Sequence, residues 1–111
     1  MTLNIAVKSI EFSERRVPFR HPFRFGAVTV NEAPQLFVHV TADVDGKFST
    51  GVTAELMVPK WFNKDPALSA DATVDQLRRS AAIARDIYLK ARPDTAFGLH
   101  EPLQINGWIK A

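Results

Sequence analysis

The chain has 111 residues, the size of one ordinary domain, and its 46% hydrophobic and 23% charged residues are typical of a folded globular protein. A net charge of only +2 excludes a strongly polybasic protein, and the lack of cysteine excludes disulfides and thiolate metal sites. No apolar run approaches a membrane span and no apolar signal core opens the chain, so we expect a cytoplasmic protein.

The first residues predict a β-strand with an irregularity. Ile5 and Val7 alternate with their neighbours, and Ile10 and Phe12 continue the alternation on the opposite parity. One extra residue moves all following side chains to the other face of a strand. The change of parity near residues 8–9 therefore predicts a bulge or a bend.

The segment VPFRHPFRFG, residues 17–26, brings aromatic and basic side chains together. In an extended chain its aromatic residues would face one way and its arginines the other. Its two prolines cannot donate ladder hydrogen bonds, so we expect an edge strand or a loop. Three interpretations stay open: aromatic side chains that seal a sheet, a ligand lid, or a nucleic-acid surface. The balanced charge of the chain and the lack of a groove-reading motif make nucleic acid the weakest of the three, and its candidate residues are Arg15, Arg16, Arg20 and Arg24.

Two further alternating runs, residues 35–44 and 47–58, are joined by Asp45-Gly46. This pattern is the strongest short-range signal for a β-hairpin. Each run has apolar residues on one parity, so we expect an antiparallel hairpin with one polar face.

The second half of the chain changes to a helical period. Apolar residues between positions 73 and 91 form one broad stripe, which predicts a helix over that range. Thr73 and Gln76 have capping-box spacing, and Pro93 ends the pattern. The order of elements predicts one α+β domain, a three-stranded antiparallel sheet followed by and packed on helices. Its strands fall within residues 3–58, a loop covers 59–72, and this helix follows. The tail, residues 93–111, has weak periodicity and is left unassigned.

Candidate chemical groups are sparse. The histidines lack ligand-like spacing, so metal binding within this chain is not expected, and no phosphate loop or nucleophile motif is present. Glu55 is a single carboxylate at the end of a strand, where a surface role is commoner than that of a general base. Trp61 and Phe62 are either core residues under a long loop or exposed rings that close over a ligand.

The order of these features resembles the N-terminal capping domain of the enolase superfamily, in the mandelate racemase and muconate-lactonizing enzyme group. The resemblance covers residues 3–92, and no single motif in it is diagnostic, but the order and spacing together are fairly specific. It comprises a proline-rich loop ending in Gly, an Ala-Pro before the second strand, a hairpin turn, a Gly in the third strand and a small-residue–Glu pair: Pro18, Pro22, Gly26, Ala33-Pro34, Asp45-Gly46, Gly51 and Ala54-Glu55.

The resemblance implies a cap over the open end of a (β/α) barrel that lies outside these 111 residues. The barrel would carry the acid/base residues and the carboxylates that hold Mg²⁺, and would remove a proton α to a substrate carboxylate. The cap would set specificity with two segments, residues 20–27 and 54–62, at the same end of the sheet. The implied contacts to the substrate are Arg20, His21, Arg24, Phe25, Glu55, Trp61 and Phe62.

The resemblance also leads to expectations about the activity and the partners of the chain. Without the barrel the chain alone is expected to be inactive, and the full enzyme would be a racemase, dehydratase or cycloisomerase. Its partners would be the barrel, covalent or separate, and a small carboxylate, and the question of a homo-oligomer stays open. The alternative is a stand-alone binding or interaction domain that reuses the cap fold, since fold does not determine function. Such a domain would expose an apolar patch where a barrel would dock.

Overall fold

The computed structural model describes residues 3–61 and 63–102, which form an antiparallel three-stranded sheet and two helices. The strands follow one another in chain order as a meander, which confirms the α+β class and the antiparallel sheet. No helix in the described part is both long and apolar enough to cross a membrane. The elements are β1, Ile5–Phe25; β2, Val28–Val44; β3, Lys47–Leu56; α1, Ala70–Lys90; and α2, Ala96–Pro102.

Strand β1 is a long edge strand with two irregularities. Its pairing with β2 shifts register between Val7 and Ser9, which confirms the bulge expected from the change of parity. A second shift lies between Pro18 and Phe23, in the segment that carries both prolines. The strand resumes regular pairing before a two-residue turn in which Gly26 has φ of 55°, a conformation that glycine adopts without steric cost.

The hairpin between β2 and β3 forms at the predicted Asp45-Gly46 turn. Both turn residues have positive φ, 51° and 88°, as a type I′ turn requires. The Gly46 N–H donates to the carboxylate of Asp43 at 2.7 Å, which ties the turn to β2. The turn places Val44 directly opposite Lys47, and this register continues without a bulge to the far end of β3.

That register corrects the expectation of a hairpin with one polar face. Over residues 35–44 the apolar residues of β2 have even numbers apart from Phe37, and those of β3 have even numbers too, but a Val44–Lys47 pair sets even positions opposite odd ones. Val38, for example, lies across from Thr53, whereas Val52 lies across from His39. Because opposite residues share a face, the two apolar stripes lie on opposite faces of the sheet.

Helix α1 begins earlier than its apolar stripe. Ser69 is the N-cap and accepts a hydrogen bond from the Ala72 N–H at 3.1 Å, so the capping box expected at Thr73 is wrong. The Thr73 side chain is instead buried and bonded to the loop before the helix. The helix ends before Pro93, as predicted.

Helix α1 packs across β1. Arg78 forms a bidentate pair with Glu14 at 2.9 Å, and the Arg85 guanidinium lies 5.3 Å from the ring centre of Phe12. These contacts define the covered face of the sheet, on which the apolar stripe of β2 lies. The buried apolar residues of the described chain are Val30, Ala33, Ala42, Met57, Val74 and Leu99.

Part of the unassigned tail is ordered against the sheet. The backbone of Asp94 exchanges two hydrogen bonds with Ile5, at 2.7 and 3.0 Å, and α2 follows. Buried Leu99 shows that α2 contributes to the core. The rest of the tail, residues 103–111, lies outside the described residues.

Candidate functional site

Three aromatic rings from two distant segments meet at one end of the sheet. Phe25 and Trp61 are 5.2 Å apart between ring centres in an edge-to-face arrangement, and Phe23 lies 5.5 Å from Phe25 and 6.1 Å from Trp61. These separations are those of favourable aromatic contacts. The two segments that the resemblance implies as a lid are therefore in contact through these rings.

Strand β1 positions its two rings through its pairing with β2. After the irregularity at Pro18–Phe23 the ladder resumes, with Phe23 opposite Val30 and Phe25 opposite Val28. Val30 is 4% exposed, so the end of the hairpin rests on the core. Phe23 itself remains 47% exposed, which leaves its ring available to a ligand or a partner.

The loop that carries Trp61 is attached to the first turns of α1. The Lys60 backbone has φ of 62°, and its N–H donates to the Thr73 hydroxyl at 3.0 Å. The Lys60 ammonium donates to the carbonyl oxygens of Asp65, at 2.7 Å, and Leu68. These bonds hold the residue before Trp61 in place, so the backbone that carries the indole is fixed at this point.

A second bond between the loop and the helix uses the other residue of the expected capping box. The Asn63 side-chain amide donates to the Gln76 side-chain oxygen at 2.8 Å. Thr73 and Gln76 thus have helix-capping spacing, yet both side chains bond to the loop, and the Thr73 hydroxyl also donates to the Ala70 carbonyl in the first turn of α1. The consequence is a loop of defined shape on the end of a rigid helix.

The aromatic cluster borders an open groove of ≈ 390 Å³ between β1 and the residues that follow β3. Trp61 is 57% exposed, so it is not a core residue under the loop. Apolar walls with few polar groups suit a planar or apolar ligand group, and the imidazole of His21 is the titratable side chain of this lining. The groove is lined by Phe19, His21, Phe23, Leu56, Val58 and Trp61.

The structure gathers some of the sequence candidates and separates others. His21 and Trp61 line the groove, and Phe25 contacts Trp61 beside it. Arg24 lies between two cluster residues of an alternating strand, so it faces away from their rings. Phe62 is outside the described residues. The candidates among the described residues that do not line the groove are Arg20, Arg24, Phe25 and Glu55.

Sequence reasoning missed four groove residues. Phe19 and Phe23 belong to the aromatic side predicted for this segment, but the resemblance to a capping domain does not name them as contacts. Leu56 and Val58 continue the apolar parity of the third strand, but only the register shows that this stripe faces away from the helix.

A second cleft, of ≈ 380 Å³, lies between the start of β2 and the N-terminus of α1, and both of its arginines form ion pairs. Arg16 contacts Glu32 at 3.2 Å, and Arg78 contacts both Glu14 and Asp75. The hydrogen bond from Arg78 lowers the pKa of Glu14 and outweighs the opposing effect of burial. The same bond raises the pKa of Arg78.

The candidate arginines do not form one basic surface. Arg15 donates to the Gln35 side chain at 2.9 Å and lies 5.8 Å from the ring centre of Phe37, whereas Arg16 pairs with Glu32. Arg15 and Arg16 are neighbours in a strand, so they lie on opposite faces of the sheet. This arrangement gives no support to a nucleic-acid groove.

The described residues supply no cluster of carboxylate or imidazole groups for a magnesium ion. No group of three or more His, Cys, Asp or Glu side chains in residues 3–61 and 63–102 is placed to hold a metal. We therefore derive no chemical step through a metal for this chain.

Comparison with known proteins gives no relative. No family model matches the chain, and no curated protein or solved structure is significantly similar to it.

Proposed function

We propose that this chain is the substrate-capping, specificity-determining domain of an enzyme of the mandelate racemase and muconate-lactonizing type. Its role is to close the groove end of the sheet over a (β/α) barrel that lies in a longer chain or in a separate one. The barrel holds Mg²⁺ and removes a proton α to the carboxylate of a small substrate. The cap binds the remainder of the substrate and excludes water.

The observation that carries this proposal is the aromatic cluster. Residues 23–25 and Trp61 lie far apart in the sequence, and both belong to the segments expected to form the lid. A protein with no ligand here would gain stability by burying these rings, yet Trp61 and Phe23 are 57% and 47% exposed. Exposed rings on a fixed backbone are suited to completing a site whose other wall is supplied by a partner.

In this proposal the chain binds the substrate and takes no part in proton transfer. The groove walls receive the apolar part of the substrate, and the His21 imidazole can exchange a hydrogen bond with a polar group of it. Closure of Trp61 over the barrel would remove water from around the reacting carboxylate and strengthen the electrostatic interactions there. The acid and base groups belong to the barrel.

The test uses the native gene product from its source cells. We expect an intact mass several times the 12.4 kDa of this chain, or a barrel chain of about 250 residues that co-purifies with it. The purified protein is then incubated in D₂O with Mg²⁺ and a panel of small carboxylates, and deuterium incorporation at the α-carbon is followed by mass spectrometry. At least one carboxylate should exchange.

A matched pair of variants links that activity to the groove. Trp61→Ala should lower kcat/KM by about ten-fold or more, because it removes the largest contact surface of the lid. Phe97→Ala is the control, since Phe97 is 78% exposed in α2 and does not line the groove. A native product of 111 residues without a barrel chain, or exchange that Trp61→Ala does not affect, would contradict the proposal.

A stand-alone interaction domain is the second candidate, and one observation favours it. All ten residues of β3 are exposed, including Phe48 at 75% and Val52 at 59%. Exposed apolar patches of this kind are common at interaction sites. The mass measurement separates the two candidates, because the second requires the chain to occur without a barrel.

A further inference from the structure

The two edges of the sheet differ in how they are protected against further pairing. At one edge, β1 carries Pro18 and Pro22 and two register shifts, which are common devices against strand addition. At the other edge, β3 has ten residues without proline or bulge, and all ten are exposed. A long regular edge with exposed Phe48 and Val52 is a site for pairing with another strand.

The pattern of backbone groups on that edge follows from the hairpin turn. In a two-residue turn the N–H of Lys47 points toward β2. Hydrogen-bonded and non-hydrogen-bonded residues alternate along an antiparallel pair, so the even-numbered residues of β3 point their N–H and C=O groups outward. A partner strand must therefore place its own free N–H and C=O groups opposite those of the even-numbered residues of β3.

The charges of β3 select the partner. Lys47 and Glu55 lie at its two ends on the covered face, and neither forms an ion pair within the described residues. A second β3, antiparallel and centred on Gly51, sets Lys47 of each copy opposite Glu55 of the other. In this register the outward-pointing residues also pair with each other, Phe48 with Ala54 and Thr50 with Val52.

We infer that β3 is a dimerisation edge that binds the β3 of a second copy of this chain, centred on Gly51, and joins two three-stranded sheets into one of six strands. The association is isologous, and each copy contributes the same Lys47–Glu55 pair. On the open face, Phe48 of one copy lies diagonal to Val52 and Leu56 of the other, which covers part of the exposed apolar stripe. The inference does not rest on the proposed function, because Lys47 and Glu55 do not line the groove.

Charge reversal tests the pairing. By sedimentation equilibrium the 111-residue chain should dimerise, and Lys47→Glu or Glu55→Lys alone should raise the dimer Kd by about ten-fold or more, since each places like charges opposite each other twice. The double variant K47E/E55K should restore the Kd of the unmodified chain. Lys64→Glu and Glu11→Lys are matched controls that change net charge equally at exposed sites outside β3. Circular dichroism checks that each variant is folded.

A single cysteine tests the register, because the chain has none of its own. Gly51 faces its own copy as a non-hydrogen-bonded pair, with Cα atoms roughly 4.5 Å apart, within disulfide range. Gly51→Cys should therefore cross-link efficiently under mild oxidation, whereas Val52→Cys should not. A monomer at all accessible concentrations, a double variant that fails to recover, or cross-linking through Val52→Cys instead would overturn the inference.

Discussion

Strands β2 and β3 alternate apolar and polar residues equally well, yet only one of their two apolar stripes is covered. The stripe of β2 lies on the face where α1 packs, and Ala42 is 8% exposed there. The stripe of β3 lies on the other face, where Phe48 is 75% exposed. The difference shows that burial in this protein follows from register and not from hydrophobicity, because one turn decides which face each stripe joins.

The largest expected effect comes from the same truncation on each strand. Val30→Ala removes two methyl groups from a side chain that is 4% exposed, and should cost about 2 kcal/mol of unfolding free energy through lost burial and a residual cavity. Val52→Ala removes the same groups at 59% exposure and should cost about 0.5 kcal/mol. Urea denaturation of dilute, monomeric chain measures both. Equal losses would mean that the open face is covered within the monomer.

A smaller effect is expected at the turn that sets the register. Gly46→Ala forces a side chain into a backbone with φ of 88°, and should cost about 1 kcal/mol or more. Gly51→Ala is the control, because Gly51 lies within β3 and a Cβ there would meet no atom within 4 Å. It should be neutral or slightly stabilising in the same denaturation experiment. A loss at Gly51 that matched the loss at Gly46 would show that the turn is not the sensitive point.

The smallest effect concerns the ion pair that joins the covered face to α1. Arg78 lowers the pKa of Glu14, so the pair stabilises the fold above the unfolded pKa of about 4.3, and this contribution is lost as pH falls through the lower folded pKa. Both side chains are about one third exposed or more, at 34% and 40%, so solvent screening limits the contribution to about 0.5 kcal/mol.

Glu14→Gln measures that contribution. Its unfolding free energy should lie about 0.5 kcal/mol below that of the unmodified chain at pH 7, and the difference should vanish as pH falls from about 5 to about 2. Glu11→Gln, on the opposite face and without an ion pair in the described residues, is the control. A difference that persisted at pH 2 would assign the effect to packing instead of charge.

The candidate site could be predicted from sequence only in part. The parity of residues 23–25 is confirmed, since Phe23 and Phe25 lie opposite Val30 and Val28, but the register shift between Pro18 and Phe23 interrupts the single alternation expected over residues 17–25. The contact of these rings with Trp61 was expected only through the resemblance to a capping domain. No local rule relates residues that are more than thirty positions apart, so the groove itself required the tertiary structure.

The helix start shows the same limit. Spacing alone predicted a capping box at Thr73 and Gln76. The N-cap is instead Ser69, which precedes the apolar stripe. The side chains of Thr73 and Gln76 accept hydrogen bonds from Lys60 and Asn63 instead of forming a capping box. These bonds form only when the loop is folded back on α1, so the spacing along the chain could not reveal them.

The sequence by itself determined the α+β order of elements, the bulge near residues 8–9 and the Asp45-Gly46 hairpin, because periodicity and turn chemistry act over a few residues. It also contained the register, since a two-residue turn sets even positions opposite odd ones. Only the tertiary structure decided which face α1 covers, which edge remains open and which rings meet at the groove. These depend on packing between segments distant in the chain, where the gain from burial is set by the whole arrangement and not by local propensity.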